Sequence, residues 1–128
     1  MQVVIVTPEA TTLDVQADFV ALPLIDGEIG VLKDHADTIG RLGFGEMRVR
    51  TGNDTDRYFV DGGFVQIAND VVSVLTGKAM PFGELQLDEV RNRLADAEAL
   101  PHSSTSETEL RRQAINRAAA QLKMLEKA

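Results

Sequence analysis

The chain has 128 residues, a formal net charge of −7, 44% hydrophobic residues and no cysteine. This is one domain of ordinary size, or a small domain with an appendage, and it has enough apolar content to bury a core. Missing cysteine excludes disulfides, thiolate nucleophiles and the usual structural zinc sites, and it fits a reducing compartment.

No apolar run approaches the length of a bilayer-crossing helix, and no basic-then-apolar signal segment follows Met1. The charge is unevenly placed. Residues 1–85 hold 13 Asp and Glu against six Lys and Arg, whereas residues 86–128 hold seven of each. An acidic body argues against a nucleic-acid partner, because phosphate contacts need clustered cations. The asymmetry also points to two pieces with different surfaces.

Short strands punctuated by turns are predicted up to Gly77. Val3-Val4-Ile5-Val6 is apolar and β-branched and is closed by Pro8. Leu13 to Leu24 alternates with period two until the parity is lost at Phe19, as at a bulge or bend. Ile25-Asp26-Gly27 turns the chain into Ile29-Gly30-Val31-Leu32, and a polar loop, Asp34-His35-Ala36-Asp37, follows. Glu46 to Thr51 alternates, with Met47 and Val49 on one side and Glu46, Arg48 and Arg50 on the other. Gly52-Asn53-Asp54, Asp61-Gly62-Gly63 and Asn69-Asp70 read as three tight turns, separating Arg57–Val60, Phe64–Ala68 and Val71–Leu75. Many short strands at such intervals predict an antiparallel sandwich or barrel.

The period changes to about 3.6 residues after Pro81-Phe82-Gly83. The predicted division is a β domain over 1–83 and an antiparallel α-helical hairpin over 84–128. Leu87, Val90, Leu94 and Ala97 form one helical stripe, and Asp88 and Glu89 suit the first turn, where negative charge complements the helix dipole. Pro101-His102-Ser103-Ser104 breaks this helix. Ser104 with Glu107, or Ser106 with Glu109, offers a capping box for a second helix, whose stripe is Ile115, Ala118, Leu122 and Leu125. Both stripes are narrow and rich in alanine, so the hairpin is marginally held and able to move.

The stretch Asp26–Gly40 concentrates glycines, carboxylates and one of only two histidines. Its loop, Asp34-His35-Ala36-Asp37, carries ligand-type residues suited to a metal or acid–base site. Zinc needs three or four converging ligands, and the other histidine, His102, lies in the linker between the helices. Loop capping and partner docking are the competing readings. No phosphate-cradling loop or nucleophile elbow is present, and the few aromatics are scattered.

The order of these parts resembles the epsilon subunit of F-type ATP synthases. The resemblance is carried by Gly27-Glu28-Ile29-Gly30-Val31-Leu32, Asp34-His35-Ala36, Gly62-Gly63-Phe64, Asn69 to Leu75, and Arg117-Ala118-Ala119-Ala120-Gln121-Leu122. It implies a mainly β plus α protein: an N-terminal antiparallel β-sandwich of about ten strands and a C-terminal two-helix hairpin. It further implies a non-catalytic rotor-stalk subunit that couples proton transport to ATP synthesis. Such a subunit is peripheral on the cytoplasmic face of the inner (plasma) membrane and carries no metal or cofactor. The implied partners are the gamma subunit, the polar loops of the c-ring and, through the hairpin, the catalytic alpha and beta subunits. Glu28 and His35 match positions placed near those loops, with Asp34 and Asp37 beside them. In the family the hairpin moves between compact and extended states, and the extended state inhibits hydrolysis.

Two departures stand out. The family loop reads Gly-His-Ala-Pro, where this chain has Asp34-His35-Ala36-Asp37. The ATP-binding pattern of some members is met by Leu87-Asp88-Glu89-Val90-Arg91, but Asn92 replaces its alanine; Arg117 is present, and Gln121 stands where a further arginine helps hold phosphate. A second reading is therefore a nucleotide-sensing module whose hairpin clamps ATP through Asp88, Arg91 and Arg117. A third, ranked last, is an enzyme built on His35 and its carboxylate neighbours.

Overall fold

The computed structural model describes residues 1–127 and divides into two compact units, Met1–Phe82 and a second beginning at Gly83. The first holds eight strands: β1 (Gln2–Val6), β2 (Thr11–Gln16), β3 (Phe19–Leu24), β4 (Gly27–Leu32), β5 (Thr38–Thr51), β6 (Asp54–Ala68), β7 (Val71–Leu75) and β8 (Ala79–Pro81). Their order is β2-β1-β7-β6-β5-β3-β4, with β8 added on β6. All ladders are antiparallel except β1 with β7.

Eight strands replace the expected ten or so because β5 and β6 run on where the sequence suggests interruptions. Asp61-Gly62-Gly63 is no hairpin turn. It is a bend inside β6 across which the ladder to β5 keeps its register, Leu42 facing Gly63 and Phe44 facing Asp61. Gly62 and Gly63 take φ of 68° and 107°, values open to residues without Cβ. A Cβ on Gly63 would lie 1.9 Å from the Leu75 carbonyl oxygen, so only glycine fits where β6 passes β7. At the bend β6 changes neighbours: Tyr58–Val60 pair with β8 and Phe64–Ala68 with β7.

The alternation of each strand fills one core. Val3 and Ile5 of β1, Val65 and Ile67 of β6, and Val72 and Val74 of β7 meet Val20, Leu22, Val31, Met47 and Val49 from β3, β4 and β5. Each such side chain, fully buried, contributes about 1.5–3 kcal/mol. Every member of this cluster lies before residue 80.

The second unit contains α1 (Leu87–Glu98) and α2 (Thr105–Glu126). Asp88 and Glu89 occupy the first turn of α1, and Val90 and Ala97 are its buried residues. Ser104 caps α2, its side chain accepting from the Glu107 amide at 3.1 Å, so the first of the two capping boxes is used. The buried seam of α2 is Ala118, Gln121 and Met124, displaced from the expected stripe: of that stripe only Ala118 is buried, while Ile115, Leu122 and Leu125 are half-buried. Gln121 is buried because its Oε1 accepts from Arg93 Nη1 of α1 at 2.6 Å. Arg111 Nε also donates to the Glu98 carbonyl at 3.3 Å, a second tie between the helices.

Candidate functional site

The polar loop after β4 is held from its backbone. Asp34 adopts φ 62°, the left-handed conformation that glycine favours. An aspartate therefore holds the left-handed turn here. The Asp34 amide donates to Asp70 Oδ1 at 3.0 Å, tying the loop to the turn between β6 and β7. Asp70 Oδ2 also lies 3.7 Å from the Met1 ammonium group, which donates to the Ala17 carbonyl at 3.1 Å. His35 is half-buried: its amide donates to the Leu32 carbonyl at 3.2 Å and its Nδ1 lies 2.7 Å from the Ala36 carbonyl. Thr38 Oγ1 donates to that same carbonyl at 3.0 Å, while Asp37 is exposed. The ring is oriented by backbone rather than by a carboxylate. Among the described residues no three His, Asp or Glu side chains converge as metal ligands would.

Glu28 sits near the other end of β4, and its surroundings are different. Arg48 of β5 grips it with both nitrogens, Nη2–Oε1 2.9 Å and Nη1–Oε2 3.3 Å. That bidentate grip, more than any other cause, raises the Arg48 pKa above its ordinary value. The strand thus separates Glu28 from the Asp34–Asp37 loop, with Ile29 to Leu32 lying between them.

A feature not anticipated from the sequence lies beside the loop. Ile39 of β5, Phe64 of β6, Leu75 of β7 and Val6 of β1 are all solvent-exposed, at 77%, 55%, 51% and 36%. Phe64 is the register partner of Leu75, Leu75 of Val6, and Ile39 faces Gln66, two residues along from Phe64. Facing residues share one side of a sheet, so the four form an apolar band across four strands. Leu32, 59% exposed, flanks the loop from the β4 side. Outward positions of strands reading Phe-Val-Gln-Ile and Val-Val-Ser-Val-Leu were the available signal.

In the hairpin, Arg93, Asp96, Ala97, Leu100, Ala114, Arg117, Ala118 and Gln121 line a cleft of about 270 Å³. Arg117 lies in it. Asp88 and Arg91 are exposed and do not line it. Arg93 Nη2 stands 3.4 Å from Glu89, so this guanidinium already serves both helices.

Comparison with known proteins follows the same outline. The family model of the ATP synthase delta/epsilon chain β-sandwich domain matches residues 1–82. This chain belongs to the ATP synthase delta/epsilon chain family. The ATP synthase epsilon chain of Rhodopirellula baltica is 50% identical over 94% of both chains. The sodium ion specific epsilon chain of Propionigenium modestum is 33% identical over 68% of this chain and 64% of its own. Among solved structures, a chain in the mitochondrial ATP synthase of Euglena gracilis, determined with OSCP, F1 and the c-ring, superposes with a TM-score of 0.79. It shares 25% identity, and the match covers 98% of this chain and 78% of that one. A chain in the central stalk and c-ring of the Tetrahymena thermophila enzyme gives 0.69 at 12% identity, covering 94% and 95%, a likeness of fold. The Rhodopirellula relative spans both the strands and most of the helical pair. No helix among the described residues is long and apolar enough to cross a membrane.

Proposed function

We propose that this chain is a non-catalytic central-stalk subunit of a rotary ATP synthase. Its sandwich docks on the gamma subunit and the polar loops of the c-ring, and its hairpin restrains ATP hydrolysis at the alpha and beta subunits. The observation carrying this reading is the apolar band Ile39–Phe64–Leu75–Val6 beside the acidic Asp34–Asp37 loop. A folded sandwich has no internal use for four exposed apolar side chains in one row, and such patches mark interaction surfaces. Asp34 and Asp37 beside them favour a cationic rim on the partner, and Glu28 at the far end of β4 offers a second polar contact. As part of that complex the subunit sits peripherally at the cytoplasmic face of the membrane.

The test is removal of residues 86–128. The core cluster is drawn from residues 3–74, so the sandwich keeps that cluster when the hairpin is removed. The truncated chain assembles with the synthase and hydrolysis rises. Unchanged hydrolysis removes the inhibitory half of the proposal.

A second reading, a nucleotide-sensing hairpin, is favoured by one observation: Arg93 and Arg117 line the same cleft. At about 270 Å³ it lies just under the roughly 300–1,000 Å³ usual for small-molecule pockets, and Asp88 and Arg91 stand outside it. Calorimetry of the full chain with millimolar ATP decides it; absence of heat sinks the sensor.

A further inference from the structure

The grip on Glu28 is the first link of a longer chain. Arg48 Nη1 also donates to Glu46 Oε1 at 3.1 Å, and Glu46 Oε2 accepts from Arg57 Nε at 2.7 Å. The Arg57 guanidinium in turn covers the ring of Phe82, 4.0 Å from its centroid. Side-chain exposure along the series is 52% at Glu28, 31% at Arg48, 10% at Glu46 and 20% at Arg57, so its inner members are the more buried. Phe82 is the last residue of the first unit, and from it the chain runs into the helices.

Arg48 and Arg57 face each other directly across the β5–β6 ladder. Like charges at facing positions repel. Here two carboxylates neutralise them, Glu46 between the two and Glu28 on the outer side of Arg48. Withdrawing Glu28 removes one of the two carboxylates that Arg48 holds and throws Arg48 back on Glu46, which Arg57 also holds. At these positions solvent screens the repulsion of the two guanidinium groups poorly.

We propose that Glu28, Arg48, Glu46 and Arg57 form a charge relay through which the state of Glu28 governs how firmly Arg57 holds Phe82 at the exit from the sandwich. When a cationic side chain of the partner engages Glu28, the unbalanced Arg48 competes for Glu46 and repels Arg57. The cover over Phe82 is loosened, and the connector gains freedom. The proposal rests on the docking reading for one point alone, the partner cation that draws Glu28 away. The relay itself is a property of the free chain.

The test is nuclear magnetic resonance of the full chain without any partner. The Phe82 ring displaces the Arg57 Nε–H and δ-methylene resonances upfield, and Phe82→Leu defines zero displacement. In Glu28→Gln the ratio of covered to uncovered Arg57 falls by up to about five-fold, the scale of one partly exposed ion pair, and the displacement falls with it. In the double variant Glu28→Gln/Arg48→Gln, only Glu46 and Arg57 remain charged, and the displacement returns to near the original value. Full displacement in the single variant overturns the relay, as does equal loss in the single and double variants. Circular dichroism verifies that each variant is folded. Because no partner is present, failure here leaves docking untouched, and a failure of docking leaves the relay measurable.

Discussion

The backbone amide of Asp34 donates to the carboxylate of Asp70 at 3.0 Å, fixing the loop after β4 to the turn between β6 and β7. The same carboxylate faces the Met1 ammonium group at 3.7 Å. Asp70→Ala removes both contacts and is expected to cost about 0.5–1.5 kcal/mol, the usual net worth of a hydrogen bond where water can replace the lost acceptor. Urea unfolding measures the cost, and amide exchange at Asp34 and His35 locates it in the loop.

Asp34 itself occupies left-handed backbone space, at φ 62°. Asp34→Val places a β-branched side chain there and is expected to lose about 1–2 kcal/mol, whereas Asp34→Gly stays within about 0.5 kcal/mol of the parent. Equal denaturant midpoints for the two variants would show that backbone conformation does not shape this loop.

Gly63 tolerates no side chain. A Cβ there would meet the Leu75 carbonyl oxygen at 1.9 Å, and φ is 107°. Gly63→Ala therefore forces β6 from β7 and costs more than about 3 kcal/mol. Gly27 is the control: its φ is 137°, but an added methyl would meet nothing within 4 Å. Gly27→Ala incurs only the backbone strain, about 1–3 kcal/mol. Thermal unfolding of the two alanine variants separates close approach from φ alone.

The first turn of α2 carries a pH dependence. The Ser103 hydroxyl donating to Glu107 holds that carboxyl below its ordinary value of 4.5. Glu109 is likewise lowered, chiefly by Arg112. Groups depressed on folding contribute stability that is fully present above the ordinary carboxylate value and is lost as pH falls through the lowered one. Helix ellipticity is thus expected to be flat above about pH 5.5 and to decline on acidification below the ordinary value. Ser103→Ala raises the Glu107 midpoint, as followed by its side-chain carboxyl carbon resonance; an unmoved midpoint rules out the assigned cause.

Much of the fold was legible in the residues because strand alternation and the later helical period are local patterns. Met47 and Val49 are buried on the side that alternation assigns them, and Ser104 caps α2 with Glu107. What escaped depends on partners distant in sequence. Asp61-Gly62-Gly63 has turn chemistry, and only the continued pairing with Leu42 and Phe44 makes it a bend within one strand. Gln121 lies off the apolar stripe read from the sequence, and only Arg93 of the other helix supplies the partner that buries it. The apolar band escaped because Val6, Ile39, Phe64 and Leu75 each look like ordinary strand residues. Their common face exists only in the register of four strands.

Docking through that band is tested by Phe64→Asp/Leu75→Asp in the full chain, with Thr12→Asp, at an exposed position of β2, as control. Phe64 and Leu75 are both more than half exposed, so the fold survives, as circular dichroism verifies. The measurement is recovery of the chain with the gamma subunit and c-ring from native membranes. The parent and the control co-purify with them, and the double variant, still folded, does not. Undiminished recovery of the double variant, or a parent chain found only as free monomer, would refute docking through the band.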